Sequence, residues 1–447
     1  MAMTAMDIYK NLPKTNCKDC GFPTCLAFAM QVAAKQKALI DCPHLSDEAK
    51  DAFSDSSTPP MKLVHIGPEG DSGFEIGQET VMFRHEEKFH NHPVLAVKIA
   101  VALSDDEAKA RSEGINKAVF TRVGEEIAVG MAAVEIEGLS ADAAAARAKS
   151  LCETSRVPLV LMGCDPVTMG AAVGAVADKK PLIYRATPDN SEAMIKVAAE
   201  NKCPLAAGAE SLEKLADITQ AAKGGGVEDL VLVFDGHQTA RAVRDITSAR
   251  RAALKKNFRP LGFPAMVDVA CDDPATETVL ATAFVAKYAG IIVINGLDGS
   301  ELIPILTAVQ NIYTDPQVPN TVEAKLCEVG DVNEDSPLLF TTNFALTYFS
   351  VEGEVERSKV PCYISVVDTE GLGVLNAYAG DKISAEMVVK TLEAQGAAEK
   401  VKHRRLVIPG LLPTFRAEIE DTSVWKEVII GPENATGIPK FLAETWK

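Results

Sequence analysis

Three cysteines stand within nine residues, in Asn16-Cys17-Lys18-Asp19-Cys20-Gly21-Phe22-Pro23-Thr24-Cys25, and a fourth follows at Cys42-Pro43. Thiols this dense leave too little chain for disulfides inside an ordinary core, whereas thiolates converging on one inorganic centre need that density. The spacing is C-x2-C-x4-C-x16-C. Gly21 and Pro23 turn the backbone between the second and third thiols, and Leu26, Ala29, Met30 and Ala33 form an apolar stripe at helical period. This predicts a short helix that caps the centre and brings the chain back to Cys42. Cysteine followed by proline also ends the bacterial ferredoxin run. The first reading is therefore a 4Fe-4S cluster held by Cys17, Cys20, Cys25 and Cys42. Structural zinc would need the same thiolates, but it usually takes them as two separated pairs. A disulfide framework fits less well, because the other six cysteines are scattered singly and no secretion signal is evident.

The rest of the chain is too long for one ordinary domain: 447 residues suggest roughly three. Hydrophobic residues at 47 % and charged residues at 24 % describe a soluble globular protein, and no apolar run approaches a membrane span. Asp7, Lys10 and Lys14 interrupt the apolar residues at the N-terminus, so a cytoplasmic protein is expected. The net charge of −17, with no stripe of Lys and Arg, argues against nucleic acid as a partner.

Residues 1–58 form the cysteine module, and Asp55-Ser56-Ser57-Thr58-Pro59-Pro60 reads as a proline-stiffened linker that lets it move. Residues 59–92 hold this linker's end and a glycine-rich β-hairpin between Met61 and Phe83. The run Arg84 to His92 carries three histidines, and a charged surface loop describes it better than a metal site.

From 93 to 325 short apolar runs alternate with alanine-rich helical segments. Strands are expected at Val94 to Val101, Ile127 to Val134, Pro158 to Met162, Pro181 to Tyr184, Pro204 to Ala207, Leu230 to Phe234, Ala265 to Val269 and Gly290 to Ile294. Eight strands with helices between them are the arithmetic of a (β/α)8 TIM barrel, whose chemistry sits on the loops after the strands. Those loops carry Glu137, Cys164, Asp165, Arg185, Asp235, His237, Asp268, Cys271, Asp272, Asn295 and Asp298. Asp165, Asp235, Asp268 and Asn295 have the chemistry to hydrogen-bond a pterin, but capping the next helix is the commoner task of such residues. Asp235-Gly236-His237 comes close to a cobalt-ligating histidine motif, yet Ala240 stands where that motif ends in glycine.

A helix through Cys327 is expected to lead into a third unit, 326–447. Strands at Leu338 to Thr342, Cys362 to Val367, Arg405 to Ile408 and Glu427 to Ile430 each run through a small-residue turn into a helix. This is the pattern of an open, doubly wound, Rossmann-like sheet, whose ligands lie beyond the carboxyl ends of the strands. The turns Thr341 to Asn343, Asp368 to Val374, Pro409 to Pro413 and Gly431 to Gly437 carry few charges, which suits a wide ligand held through backbone groups.

Together these residues resemble the large (gamma) subunit of the corrinoid iron-sulfur protein of the acetyl-CoA (Wood-Ljungdahl) pathway and its archaeal counterpart. The resemblance runs from Ile8-Tyr9-Lys10-Asn11-Leu12-Pro13-Lys14 through Thr341-Thr342-Asn343-Phe344-Ala345-Leu346-Thr347-Tyr348 to Val367-Asp368-Thr369-Glu370-Gly371-Leu372. It implies a corrinoid-dependent methyl carrier, with cluster ligands at Cys17, Cys20, Cys25 and Cys42. The implied corrinoid contacts are Thr341, Thr347, Gly371, Leu372, Gly373, Val374 and Ala435, with Thr342 and Asn434 beside them on the same turns. The implied partners are a small barrel subunit in a heterodimer, a methyltetrahydrofolate methyltransferase, acetyl-CoA synthase/CO dehydrogenase and a low-potential electron donor. The implied corrinoid is base-off, with no histidine beneath cobalt, and its cob(I) state accepts the methyl group. His403, the sole histidine of the last unit, is expected on a solvated surface. Two alternatives are a barrel that itself binds a methyl-pterin and a plain electron-transfer adaptor.

Overall fold

The computed structural model describes residues 5–33, 42–45, 59–70 and 73–446. The expected linker lies outside the described residues except for Pro59 and Pro60, as does the return of the chain to Cys42. Two compact units emerge. One contains residues up to Val119 together with Ala128–Tyr313; the other contains Phe120–Ile127 and everything from Thr314 onward.

In the first unit eight parallel strands close into a barrel: β3 (Val94–Ile99), β6 (Met131–Glu135), β7 (Leu159–Met162), β8 (Leu182–Ala186), β9 (Leu205–Gly208), β10 (Leu230–Asp235), β11 (Ala265–Asp268) and β12 (Ala289–Ile294). They are near-continuous apolar runs because helices cover one face and the packed interior the other. Ala96, Met131, Val160, Leu182, Val231 and Ile291 fill that interior. The predicted hairpin is β1 (Leu63–Ile66) paired antiparallel with β2 (Phe74–Gly77). Its Val64, Ile66 and Ile76 join the same core and plug the barrel. A Cβ on Gly67 would stand 2.6 Å from Pro158, just ahead of β7, which places the hairpin at the N-terminal end of the strands and leaves the other end for loops.

One expected strand proves to be two elements. The run from Ile127 to Val134 divides between β5 (Glu125–Ala128), which pairs with β4 (Val119–Arg122) in a separate hairpin, and barrel strand β6. Val123 and Gly124 both take positive φ, 52° and 73°, the tight turn that suits the twist of two short strands. The tip of this hairpin belongs to the second unit. A Cβ on Gly124 would stand 2.1 Å from the Phe349 ring, so the position demands glycine on both conformational and spatial grounds. Gly124→Ala is expected to destabilise the second unit by about 1–3 kcal/mol, measured by denaturant unfolding.

The second unit holds a five-stranded sheet in the order β13-β15-β14-β16-β17, from β13 (Leu326–Val329), β14 (Leu338–Thr342), β15 (Cys362–Val367), β16 (Arg405–Ile408) and β17 (Glu427–Ile430). The last four are parallel, as expected. The helix expected through Cys327 is instead β13, an antiparallel edge strand that sets Leu326 opposite Ser365 and Val329 opposite Cys362. The stretch pairs with the open edge of β15, which suits its valine, and Gly330, at φ 77°, ends the strand. The unit also begins earlier than 326. Val322 N–H donates to Asn343 O at 2.9 Å and Ala345 N–H to Asn320 O at 2.9 Å, which ties 320–322 to the sheet.

Candidate cofactor sites

In the cysteine module the helices Ala5–Asn11 and Cys25–Ala33 pack through Ile8, Leu12, Cys25, Phe28 and Ala29, together with Cys42 and Leu45. The buried face differs from the predicted stripe, since Leu26 and Met30 are exposed. Cys25 is the helix's first residue and points inward, which carries Phe28 and Ala29, three and four positions on, to the same side. The loop before it is shaped by left-handed residues: Lys14, Asn16, Lys18 and Gly21 have φ of 56°, 49°, 70° and 83°. Alternation of this kind turns successive N–H groups to one side, the concavity that iron–sulfur and phosphate sites use. Asn16 Oδ1 accepts the Cys25 N–H at 2.8 Å and closes the loop onto the helix start.

Cys17, Cys20 and Cys25 lie near enough to Cys42 to act on its thiol electrostatically. Burial pushes the Cys42 thiol above its ordinary value, the His44 main-chain N–H pulls it down, and Cys20, Cys25 and Cys17 each push it up again as neighbouring negative charges. Such a set is unfavourable as four free thiolates and favourable around a cation that neutralises them. On the exposed side Cys17, Asp19 and His44 stand within 4.8 Å of one another. His44 Nε2 lies 2.5 Å from Asp19 Oδ2, and these hydrogen bonds from His44 and Cys17 hold the Asp19 carboxyl below its ordinary range.

The second site lies in the C-terminal sheet. From β14 the chain crosses to β15 on one side and returns to β16 on the other, so the strand order reverses between β14 and β16, where ligands of such sheets bind. These two strands pair only at Leu339 opposite Val407, whereas β14 and β15 pair along five positions. Past that point β14 and β16 part and open a cavity of about 410 Å³.

Thr341, Thr347, Gly373, Val374 and Ala435 line this cavity, five of the nine positions expected around a corrinoid. Of the other four, Thr342 is fully buried in the sheet, where its Oγ1 has no partner. Gly371 sits at φ 76° under Pro319 and Thr321, Leu372 packs into the neighbouring core, and Asn434 precedes the short 3-10 turn Ala435–Gly437. Sequence reasoning missed Val351, Leu375, Val407 and Ile438, because an apolar residue facing a cavity carries the same pattern as one facing core. Glu433 is the lining's one charged residue, and no histidine is among them. Two loops meet here closely: a Cβ on Gly410 would stand 2.5 Å from Gly431 O.

Asn343, 6 % exposed, shapes the wall. Its Oδ1 accepts from Thr369 N–H and Gly371 N–H, each at 3.0 Å, and from the Thr369 hydroxyl at 3.1 Å, while its Nδ2 donates to Asp368 at 2.8 Å. This fixes the loop that carries Gly373 and Val374. Asn343→Ala leaves two buried N–H groups unpaired, and a loss of about 2–4 kcal/mol is expected in unfolding experiments.

His403 is neither a surface residue nor near the cavity. It is half-buried before the N-terminal end of β16, opposite the rim. Its Nδ1 accepts the Arg405 N–H at 3.0 Å, its Nε2 lies 2.9 Å from Ser336 O, and its ring meets Trp446 at 4.8 Å. Burial holds it below its ordinary value, so the imidazole is neutral, with both nitrogens occupied.

The barrel's polar candidates are engaged within the protein. Asp165 caps the helix Pro166–Val176 by accepting from Thr168 N–H at 2.8 Å. Asp268 accepts from Lys98 at 3.1 Å and from Ala270 N–H at 3.0 Å, Asp235 accepts from His237 N–H at 3.0 Å, and Asn295 donates to Cys271 O at 3.3 Å. The histidine run after Arg84 is a loop, and among the described residues no metal-sized group of ligands forms there.

Residues 63–442 match the profile of the CO dehydrogenase/acetyl-CoA synthase delta subunit family, and residues 12–44 match one described as a putative Fe-S cluster. The corrinoid/iron-sulfur protein large subunit of Moorella thermoacetica is 42 % identical over 99 % of this chain and 98 % of its own. The acetyl-CoA decarbonylase/synthase complex subunit gamma of Methanopyrus kandleri is 35 % identical over 98 % and 97 %. The relatives' coverage includes the cysteine module as well as both folded units, and on that full-length similarity this chain belongs to the family of corrinoid/iron-sulfur protein large subunits and acetyl-CoA decarbonylase/synthase gamma subunits.

Proposed function

We propose that the chain is the cofactor-bearing large subunit of a methyl carrier in acetyl-CoA metabolism. The observation that carries this reading is a module with four cysteines on the same chain as a nearly uncharged crevice, with no histidine in its lining, at a strand-order reversal. When bound, the corrinoid supplies a cobalt nucleophile that takes and surrenders a methyl group, and the 4Fe-4S cluster supplies the electron that restores it after oxidation. Cys17, Cys20, Cys25 and Cys42 would hold the cluster.

The chain's own residues have definite tasks. Thr341 and Thr347 would offer hydroxyls to the corrinoid, and Gly373 lies beside Thr347 on the same wall. Leu375, Val351 and Ile438 give the crevice an apolar wall. No histidine is among the described residues that line the crevice, so these residues would hold the corrinoid without offering it an imidazole. The Asn343 network keeps the wall in place before the cofactor arrives. The expected partners are a small barrel subunit, a methyltetrahydrofolate methyltransferase, acetyl-CoA synthase/CO dehydrogenase and a low-potential donor, all in the cytoplasm. Among the described residues no helix is long and apolar enough to cross a membrane.

The test is anaerobic iron, cobalt and zinc analysis of the intact protein and of Asn343→Ala. Iron in both with cobalt depleted in the variant supports the reading. Zinc in place of iron, or a nitrogen ligand from the protein in the Co(II) spin-resonance spectrum, overturns it.

A further inference from the structure

The barrel has its own cavity, of about 310 Å³, at the C-terminal ends of β8, β9 and β10. This is the end of a (β/α)8 barrel at which ligands and substrates collect. Arg185, Gly208, Glu210, Asp235, Arg241 and Asp245 contribute to its lining.

Five of these positions are accounted for within the protein. Arg241 bonds to Asp245 at 3.4 Å, to Gln238 at 3.3 Å and to the Glu210 carbonyl. Asp245 also takes Arg244 at 3.0 Å, and the Glu210 carboxylate takes Lys214. Both Asp235 oxygens are used, one by His237 N–H and the other by the Gln238 amide, each at 3.0 Å. Gly208 has no side chain, and its openness admits Arg185: a Cβ there would stand 3.3 Å from Arg185 Cδ.

Arg185 is the exception. It is half-buried, and its protein hydrogen bond is a long one, 3.3 Å from Nη1 to the Tyr184 hydroxyl. Its Nε is buried with no partner, and among the described residues no carboxylate lies within ion-pair distance of it. The guanidinium rests over the Tyr184 ring at 5.3 Å, which orients the planar fork without neutralising it. The buried Arg250, by contrast, has its carboxylate, Glu79, at 3.1 Å. A half-desolvated guanidinium without a counter-ion is costly in a folded protein, and a bound oxyanion removes that cost through charge-assisted bonds.

We infer that the mouth of the barrel is a binding site for a small metabolite bearing a carboxylate or phosphate, with Arg185 as its anion-recognising residue. None of its lining residues is among those assigned to either cofactor site, and the inference does not depend on that assignment.

Titration calorimetry on the intact holoprotein tests this, with inorganic phosphate and succinate as the two probes. Saturable binding of phosphate alone identifies a phosphoryl group, and of succinate alone a carboxylate; either supports the site if Arg185→Gln weakens it at least about tenfold. Arg185→Lys retains the charge but not the fork, and an intermediate affinity is expected. Gly208→Ala crowds the guanidinium while leaving its charge in place, so it provides a second route to weakened binding if Arg185→Gln fails to fold. Absence of saturable binding by either probe, or binding equally tight in the Arg185 and Gly208 variants, overturns the proposal.

Discussion

Cys20→Ser is expected to strip iron from the protein while leaving its cobalt content and fold intact. Cys20 is only partly buried at the edge of the module's core, and serine is nearly the same size, so helix packing through Ile8, Phe28 and Ala29 survives. What changes is the donor: an alkoxide is harder and far more basic than a thiolate and is a poor substitute around an iron–sulfur core. Protein reduced beforehand should carry out one round of methyl transfer at the normal rate. Protein that has slipped to Co(II) should no longer be rescued by a low-potential donor. Iron analysis and the rate of Co(II) loss under that donor are the measurements. Rescue that survives loss of the cluster would show that the module is not the cobalt's electron source.

Arg250→Leu is expected to cost about 3–5 kcal/mol of stability, the largest loss from any single substitution argued above. Arg250 is 4 % exposed, bonds to Glu79 at 3.1 Å and to Val81 O at 2.6 Å, and lies over the Tyr288 and Phe89 rings at 4.3 and 5.0 Å. Burial pushes the Glu79 carboxyl up, and Arg250 holds it down. Without Arg250 the carboxyl stays buried and can escape its charge only by taking a proton. A raised carboxyl favours the folded state below its unfolded value of 4.5 and loses that advantage as pH rises through the folded value. The Arg250→Leu loss should therefore be smaller near pH 4 than at pH 7. Glu79→Leu together with Arg250→Leu should recover most of the stability, because no charge is left stranded. Denaturant unfolding of the unaltered protein, Glu79→Leu alone, Arg250→Leu alone and the double variant completes the cycle.

Periodicity was sufficient for the barrel. Each of its eight strands is a short apolar run between helix signals, and covering both faces of a parallel sheet leaves no other pattern open to it. It failed where neighbours in space outweigh neighbours in sequence. Leu326–Val329, where a helix was expected, is a strand because the edge of β15 is open to it. The run beginning at Ile127 divides because the Val123-Gly124 turn directs Glu125–Ala128 away from the barrel. Asp165 had the composition of a ligand and the position of a cap, and only a hydrogen-bond partner could separate the two.

The iron–sulfur character of residues 12–44 was legible because it depends on residue type and spacing, both of which are written in the order of residues. The crevice was legible only in outline. Its four turns follow predictable strands, but which side chains face inward depends on the splay of β14 from β16 beyond Leu339 and Val407, a property of strand packing. The same holds for the barrel mouth: Arg185 stood out in the chain only as one polar residue among many. Its lack of a counter-ion among the described residues exists only once distant carboxylates have found other partners, since charge compensation is decided by distances through space.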